Sequence, residues 1–480
     1  MNVIINYLYN LIYQILLIIM PLITIPYVSR VIGPEGLGVY SYTNSIANYF
    51  VLFAMLGLNN YGNRTIAKVR DDKKKLSHTF WSIYIAQFAI SIFIVSMYLI
   101  YLYYSNSPNI NISMIQLLYV FSAIFDINWF FFGIEKFKLT ISRNLVIKAL
   151  TIVLIFSFVK DQDDLFLYAL ILSGGILLNQ IVLWPYLKNH IEWVRPKLRE
   201  VTHHIKPNLI LFIPVISVSL YKIMDKVMIG ALSDMIQLGY YENAEKINSV
   251  QISISTALGT VMLPRMTNII STGNQKYFNK IFRTSMQFVM FLSFALAFGI
   301  MAIANDFIPL FMGREFMPSS TIVLILAPTG IVISWANVLR TQYLIPNSKD
   351  KIYIVSVIFG ALTNLILNLL LIKHYGGLGA AIATLAAEVV VMIYQTISVT
   401  KYIDIKLYLK DNYIFLFIGF IMFFVVKFFS EIFTNIYISI LMQILIGSII
   451  YVSLSFMYFY YFRKDRLYEY LNVFSKGKRG

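Results

Sequence analysis

Apolar runs of about twenty residues, the length that crosses a bilayer's hydrocarbon, alternate along this chain with short polar clusters. Fourteen such spans are expected: 5 to 27, 39 to 62, 79 to 103, 114 to 134, 145 to 159, 165 to 187, 208 to 233, 246 to 269, 284 to 312, 319 to 345, 352 to 372, 378 to 400, 413 to 430 and 436 to 462. The fifth is short unless Ile141 to Asn144 belongs to it. The first is not a cleavable signal, since it lacks a basic leading region and a small-residue cleavage site and runs on into a repeated unit.

That repeat is written in polar punctuation. The stretch from Pro21 to Asn48 returns between Pro214 and Asn248: an apolar run opening on Pro, an Ile-Gly pair, a polar turn, then Leu-Gly-x-Tyr. Leu37, Gly38, Tyr40, Ile46 and Arg64 match Leu238, Gly239, Tyr241, Ile247 and Arg265 at one offset of 201 residues. A constant offset across a helix-turn-helix unit marks an internal repeat, so two similar lobes are expected.

Composition sharpens the class. Hydrophobic residues make up 59% of 480 positions and charged ones 13%, too little polar surface for a soluble globule. The absence of cysteine excludes disulfides, thiolate metal sites and cysteine nucleophiles. The net charge of +16 invites a nucleic-acid reading, but its placement argues for topology instead. With the N-terminus inside, the inner segments hold 28 Lys and Arg and the outer ones only Arg30, Lys160, Arg314 and Lys373. Both termini are therefore expected on the cytoplasmic side, and no nucleic-acid partner is expected, because no basic patch is interleaved with stacking aromatics on a soluble face.

The architecture that follows is an all-α integral membrane protein of about 14 transmembrane helices, in two pseudo-symmetric six-helix lobes plus two C-terminal helices. The lobes are expected at 1–206 and 207–412, with two further spans and a basic cytoplasmic tail at 413–480. Each lobe has an even number of spans, so both have one orientation and the repeat axis is expected along the membrane normal. The connection Lys188 to Lys206 and the tail from Arg463 suit short amphipathic helices on the membrane. A cavity between the lobes is the natural place for a substrate.

Groups buried too deep to reach the headgroups are the functional candidates, because an ionisable side chain at mid-span costs a few kcal/mol or more unless it meets a partner or a wet cavity. Lys222, Asp225 and Lys226 share one helix face at i, i+3 and i+4, and one aspartate cannot cancel two lysines. Asp126 lies near the cytoplasmic end of the fourth span, within Asp126-Ile-Asn-Trp129, whose Trp129 suits an interfacial aromatic belt, and Glu388 follows a small-residue run in the twelfth. Asn44, Asn48, Tyr221 and Arg340 are secondary cavity candidates; Arg340, near a span end, is also placed to snorkel. No catalytic residue and no metal site is expected: all five histidines lie in or beside loops, and no metal spacing or nucleophile elbow appears.

Several of these pieces together carry a resemblance. PLITIPYVSRVIGPEGLGVYSYTNSIANYF, GLNNYGNRTIAK, the D-x-x-W-x-x-x-G-x-E of the fourth span, IGALSDMIQLGYYENAEKI and YGGLGAAIATLAAE resemble the Wzx-type polysaccharide repeat-unit flippases of the multidrug/oligosaccharidyl-lipid/polysaccharide exporter superfamily, from about Tyr7 to Tyr402. The resemblance implies two six-helix lobes around a cavity and alternating access. It further implies a cargo of undecaprenyl-pyrophosphate-linked oligosaccharide, moved from the inner to the outer leaflet of the bacterial cytoplasmic membrane for capsule, exopolysaccharide or O-antigen synthesis. Membrane lipids and other polysaccharide-assembly proteins are the partners it suggests, no cofactor is expected, and H+ or Na+ is the coupling cation to consider. Lys222 and Lys226 match that family's cationic lumen in type, although much of the remaining positive charge here is peripheral. A cation-coupled small-molecule exporter of the same superfamily is the alternative, set back by the thirteenth and fourteenth spans. A membrane-embedded polymerase would be an enzyme with a long outer loop bearing catalytic groups, which the chain lacks.

Overall fold

In the computed structural model the chain is helical nearly throughout. The structure describes residues 2–105 and 107–464, with side chains from residue 22 onward except 213, 214, 217, 218 and 220–222, and among the described residues no strand forms. The helices run α1 Asn2–Met55, α2 Leu58–Ala67, α3 Lys73–Tyr104, α4 Ile110–Ile115, α5 Leu117–Phe125, α6 Asn128–Gly133, α7 Phe137–Phe158, α8 Leu165–Ile181 and α9 Trp184–Leu187. They continue as α10 Leu198–His203, α11 Ile205–Leu232, α12 Met235–Ser271, α13 Gln275–Met312, α14 Met317–Leu339, α15 Asp350–Val399, α16 Ile405–Ser430 and α17 Ile436–Phe462. Among the described residues nine stretches are long and apolar enough to cross a membrane.

Two of the longest helices are pairs of arms. Gly33 (φ 74°) breaks α1 and Gly376 (φ 54°) breaks α15, at the polar turns between the first and second and between the eleventh and twelfth expected spans. Positive φ is cheap only for a residue without Cβ, and Pro34 then starts the next arm with its φ already fixed for a helix. The fourth expected span is instead three pieces, α4, α5 and α6, and the fifth gains length because α7 starts at Phe137.

By internal contacts the chain forms two compact units, Met1–Gly239 and Tyr240–Gly480. In the first, α11 packs on α1 and α2, and the connection after Leu187 is strapped along α3. Trp81 Nε1 donates to the Glu192 carbonyl at 2.9 Å, the Glu192 N–H donates to Ser77 Oγ at 3.0 Å, and the Trp81 and Trp193 rings meet at 4.2 Å. Of this connection α10 and the first residues of α11 are helical, while residues 188–190 form a turn and 191–197 have no regular structure, so only part of it meets the expectation of a short helix; the tail from residue 465 lies outside the described residues. The strap ends at His204, whose Nδ1 lies 2.6 Å from the Tyr61 hydroxyl and whose imidazole is pushed down to about 4, first by burial and then by His203. In the second unit, α16 and α17 pack against α13 in one apolar core, and buried Asp411 of α16 pairs with both Arg283 of α13 and Arg463 beyond α17. The two C-terminal helices are thus built into this unit.

Inside the first unit the repeat closes on itself. A Cβ added to Gly38 would fall 1.7 Å from the carbonyl oxygen of Met235, and one added to Gly239 would fall 1.9 Å from that of Pro34. Adding the offset of 201 turns Pro34 into Met235 and Gly38 into Gly239. The contact is therefore reciprocal, each copy's glycine seated on the other copy's carbonyl, as a twofold relation between repeats requires. Gly38→Ala and Gly239→Ala should each cost about 1–3 kcal/mol or more through overpacking. Gly174→Ala in α8, where an added Cβ meets nothing within 4 Å, should gain roughly 0.5–1 kcal/mol. Thermal midpoints of the three purified variants measure the ranking; equal midpoints would remove the contact from its structural role.

Candidate functional site

A seam of polar side chains runs through the first unit. Asn44 and Asn48 lie one turn apart on α1. Asn44 Nδ2 donates to Gln116 Oε1 at 3.3 Å, and Ser173 Oγ of α8 donates to the same oxygen at 3.1 Å. The Tyr119 hydroxyl of α5 donates to Asn48 Oδ1 at 3.3 Å, and Ser122 donates to the Tyr119 carbonyl at 2.6 Å. Amides and hydroxyls pair here because each would otherwise be stranded in an apolar setting.

At its far end the seam reaches Asp126. This residue ends α5 with an extended backbone (ψ 101°), and its Oδ1 accepts from the Asn128 N–H at 3.0 Å and from Asn128 Nδ2 at 2.7 Å. An aspartate that bonds the backbone two residues on makes a turn, which is why the fourth span breaks here. Asn128 Nδ2 also donates to Gln180 Oε1 at 2.8 Å, and Arg143 Nη2 donates to Asn128 Oδ1 at 3.0 Å. Beneath the turn, buried Gln87 accepts from Trp129 Nε1 at 3.0 Å and donates to the carbonyls of Ala123 and Asp126 at 2.8 and 2.9 Å. Trp129, Phe130 and Phe131 are fully buried, so the aromatic-belt reading of this segment is replaced by a core. Glu135 turns away to pair with Arg70 at 2.6 Å.

Beside this turn lies a cavity of about 270 Å³. Val51, Met55 and Ile176 give it an apolar floor, and Asn59, Asn60, Tyr119, Ser122, Asp126 and Gln180 give it polar walls. It sits where the second span breaks: Leu56, in its wall, adopts φ 47°, and Gly57, also lining it, caps α2 without a side-chain hydrogen bond. A left-handed leucine costs about 1–2 kcal/mol, and such strain collects at functional sites. The second repeat has no such break, since α12 stays helical through Ala257 and Leu258.

The other candidates are placed as follows. Asp225 is buried in α11, within electrostatic reach of Tyr49, and Lys226 is half-buried beside it. The side chains of Lys222 and Tyr221 lie outside the described residues. Glu388 belongs to the second unit, buried in the small-residue arm of α15, where Gly360 of the other arm packs against Ala387 and Val391. Arg340 is held by Asn337 Oδ1 at 2.6 Å and lies over the Tyr353 ring, a packed role within the second unit. Sequence reading missed Arg143, Gln87, Gln116 and Gln180; the signal was there, since each is a polar residue inside or beside an apolar span.

These features define an all-helical membrane protein with the fold of lipid flippases and multidrug exporters. A solved lipid II flippase MurJ, in an inward closed conformation, is similar over 95% of this chain and 99% of its own, with TM-score 0.73 and 16% identity. An inward-facing multidrug resistance MATE family transporter is similar over 80% of this chain and 98% of its own, with TM-score 0.55 and 14% identity. The chain matches the profile of the polysaccharide biosynthesis protein family over residues 3–270, and it belongs to that family. It is also 25% identical over 381 residues to a candidate O-antigen transporter of Escherichia coli (strain K12), covering 78% of this chain and 91% of that one.

The hydrogen bonds rank two substitutions. Gln87→Leu removes three buried hydrogen bonds, leaving the Trp129 indole N–H with the Asp126 carbonyl alone at 3.1 Å and taking one donor from each of the Ala123 and Asp126 carbonyls, whereas Gln180→Leu removes one acceptor from Asn128 at the cavity wall. Each buried hydrogen bond lost costs about 0.5–1.5 kcal/mol net, so Gln87→Leu should lower the thermal midpoint clearly more. The reverse order would contradict the network.

Proposed function

We propose that this protein moves undecaprenyl-pyrophosphate-linked oligosaccharide repeat units from the inner to the outer leaflet of the bacterial cytoplasmic membrane by alternating access. The observation that carries the reading is the polar seam ending in a cavity, inside a unit whose outer faces are apolar. A lipid-linked sugar has a head that cannot cross hydrocarbon and a tail that need not leave it, so its carrier needs a wet polar path flanked by lipid. Membership of the polysaccharide biosynthesis family and likeness to an O-antigen transporter support that cargo. The matched relatives are transporters and flippases rather than catalysts.

Orientation in this reading places both termini in the cytoplasm, from the 28 to 4 division of basic residues. The lobes that alternate are residues 1–206 and 207–412, with 413–480 appended. Lys226, and Lys222 by its spacing, supply positive charge toward the pyrophosphate, and Asp225 tempers it. Glu388, a carboxyl buried among small residues, is the group to carry a coupling H+ or Na+.

A strain deleted for this chain should accumulate lipid-linked repeat units facing the cytoplasm and lose surface polysaccharide. Lys226→Ala should restore export poorly at normal expression, with Lys226→Arg intermediate because charge is kept in another shape. Unchanged export in the deletion strain would overturn the reading.

A further inference from the structure

We infer that the cavity at the Leu56–Gly57 break is a subsite for one uncharged sugar residue of the cargo, and that it rejects the pyrophosphate. This rests on the flipping reading above.

A volume of about 270 Å³ is room for a single pyranose ring and not for a whole repeat unit. Among the described residues no Lys or Arg lines it, and Asp126 is its one ionisable wall group. An anion entering would face that acid, and the described cation within electrostatic reach of it, Arg143, stands behind Asn128 and is already held by Asn128 and Asn144. The donors and acceptors are instead mixed. Both hydrogen bonds to Asp126 fall on Oδ1, so Oδ2 remains an acceptor for a hydroxyl. Gln180 is engaged through Oε1, which leaves its Nε2 as a donor, and the amides of Asn59 and Asn60 are exposed at the mouth. The uncapped first turn of α2 adds backbone N–H donors. A polyol offers a donor and an acceptor at every hydroxyl and an apolar C–H face for the floor of Val51, Met55 and Ile176. A phosphate offers acceptors only.

The test is saturation-transfer NMR on the full chain in phospholipid nanodiscs free of glycoside detergents. The probes are methyl glycosides of glucose, galactose, mannose, rhamnose and the N-acetylhexosamines, with methyl glucuronide and inorganic pyrophosphate as anionic controls. At least one neutral glycoside should show saturation transfer, the glucuronide should not, and pyrophosphate should fail to displace the bound sugar. Asp126→Asn should weaken the signal about tenfold, and Asn60→Ala, an exposed position that leaves the fold intact, should weaken it severalfold. Absence of saturation for every neutral glycoside, a signal unchanged in both variants, or displacement by pyrophosphate would each overturn the subsite. Such a failure is separate from that of flipping, which would show as normal export in the deletion strain.

Discussion

Where Gly38 meets Met235 and Gly239 meets Pro34, two helix backbones touch with no side chain between them. Much of the first unit's arrangement depends on this approach. It fixes the second arm of α1 against the start of α12, and with it α11, whose backbone at Asn208 to Phe212 in turn leaves no room for a Cβ on Gly57. In an apolar solvent the hydrophobic effect gives helices little reason to associate, so close packing at small residues has to do it. The contact is reciprocal because the sequence is repeated.

Against that frame the polar seam is costly and therefore informative. An amide or hydroxyl taken out of water is costly without a partner, and Gln116 finds Asn44 and Ser173, Asn48 finds Tyr119, and Asn128 finds Gln180. The seam leaves Gln116 Nε2 buried without a partner, and at its far end Asp126, Asn59 and Asn60 line the cavity. The strained Leu56 and the break that only the first repeat contains lie at the same point.

Most of the architecture was legible in the chain because bilayer crossing imposes a length and reversal imposes glycine: Gly33 and Gly376 sit at the two sharp turns expected from the apolar runs. The repeat was legible for the same reason, its glycines being the residues that the contact cannot replace. The fourth span read as one helix because its hydropathy is continuous, while the break between α5 and α6 comes from an Asx turn at Asp126. Of the site, Asn44, Asn48 and Asp126 could be singled out by depth alone. Gln87, Gln116, Gln180 and Arg143 carry the same signal, a polar group inside or beside an apolar span, but their partners, 32 to 72 residues away or in Arg143's case 15 at Asn128, come together only on folding. The pairing of Asp411 with Arg283 and Arg463 was hidden likewise, because each of the three sits near a span end and looks like a snorkelling charge.

The central claim is transbilayer movement of a lipid-linked glycan, and reconstitution measures it most directly. Liposomes carrying the purified chain and a short undecaprenyl-pyrophosphate-linked oligosaccharide are exposed to a membrane-impermeant glycosidase. The account predicts that nearly all of the glycan becomes cleavable with the protein present and about half without it, since only the outer leaflet is then exposed. Protection of half the glycan in both preparations would contradict it.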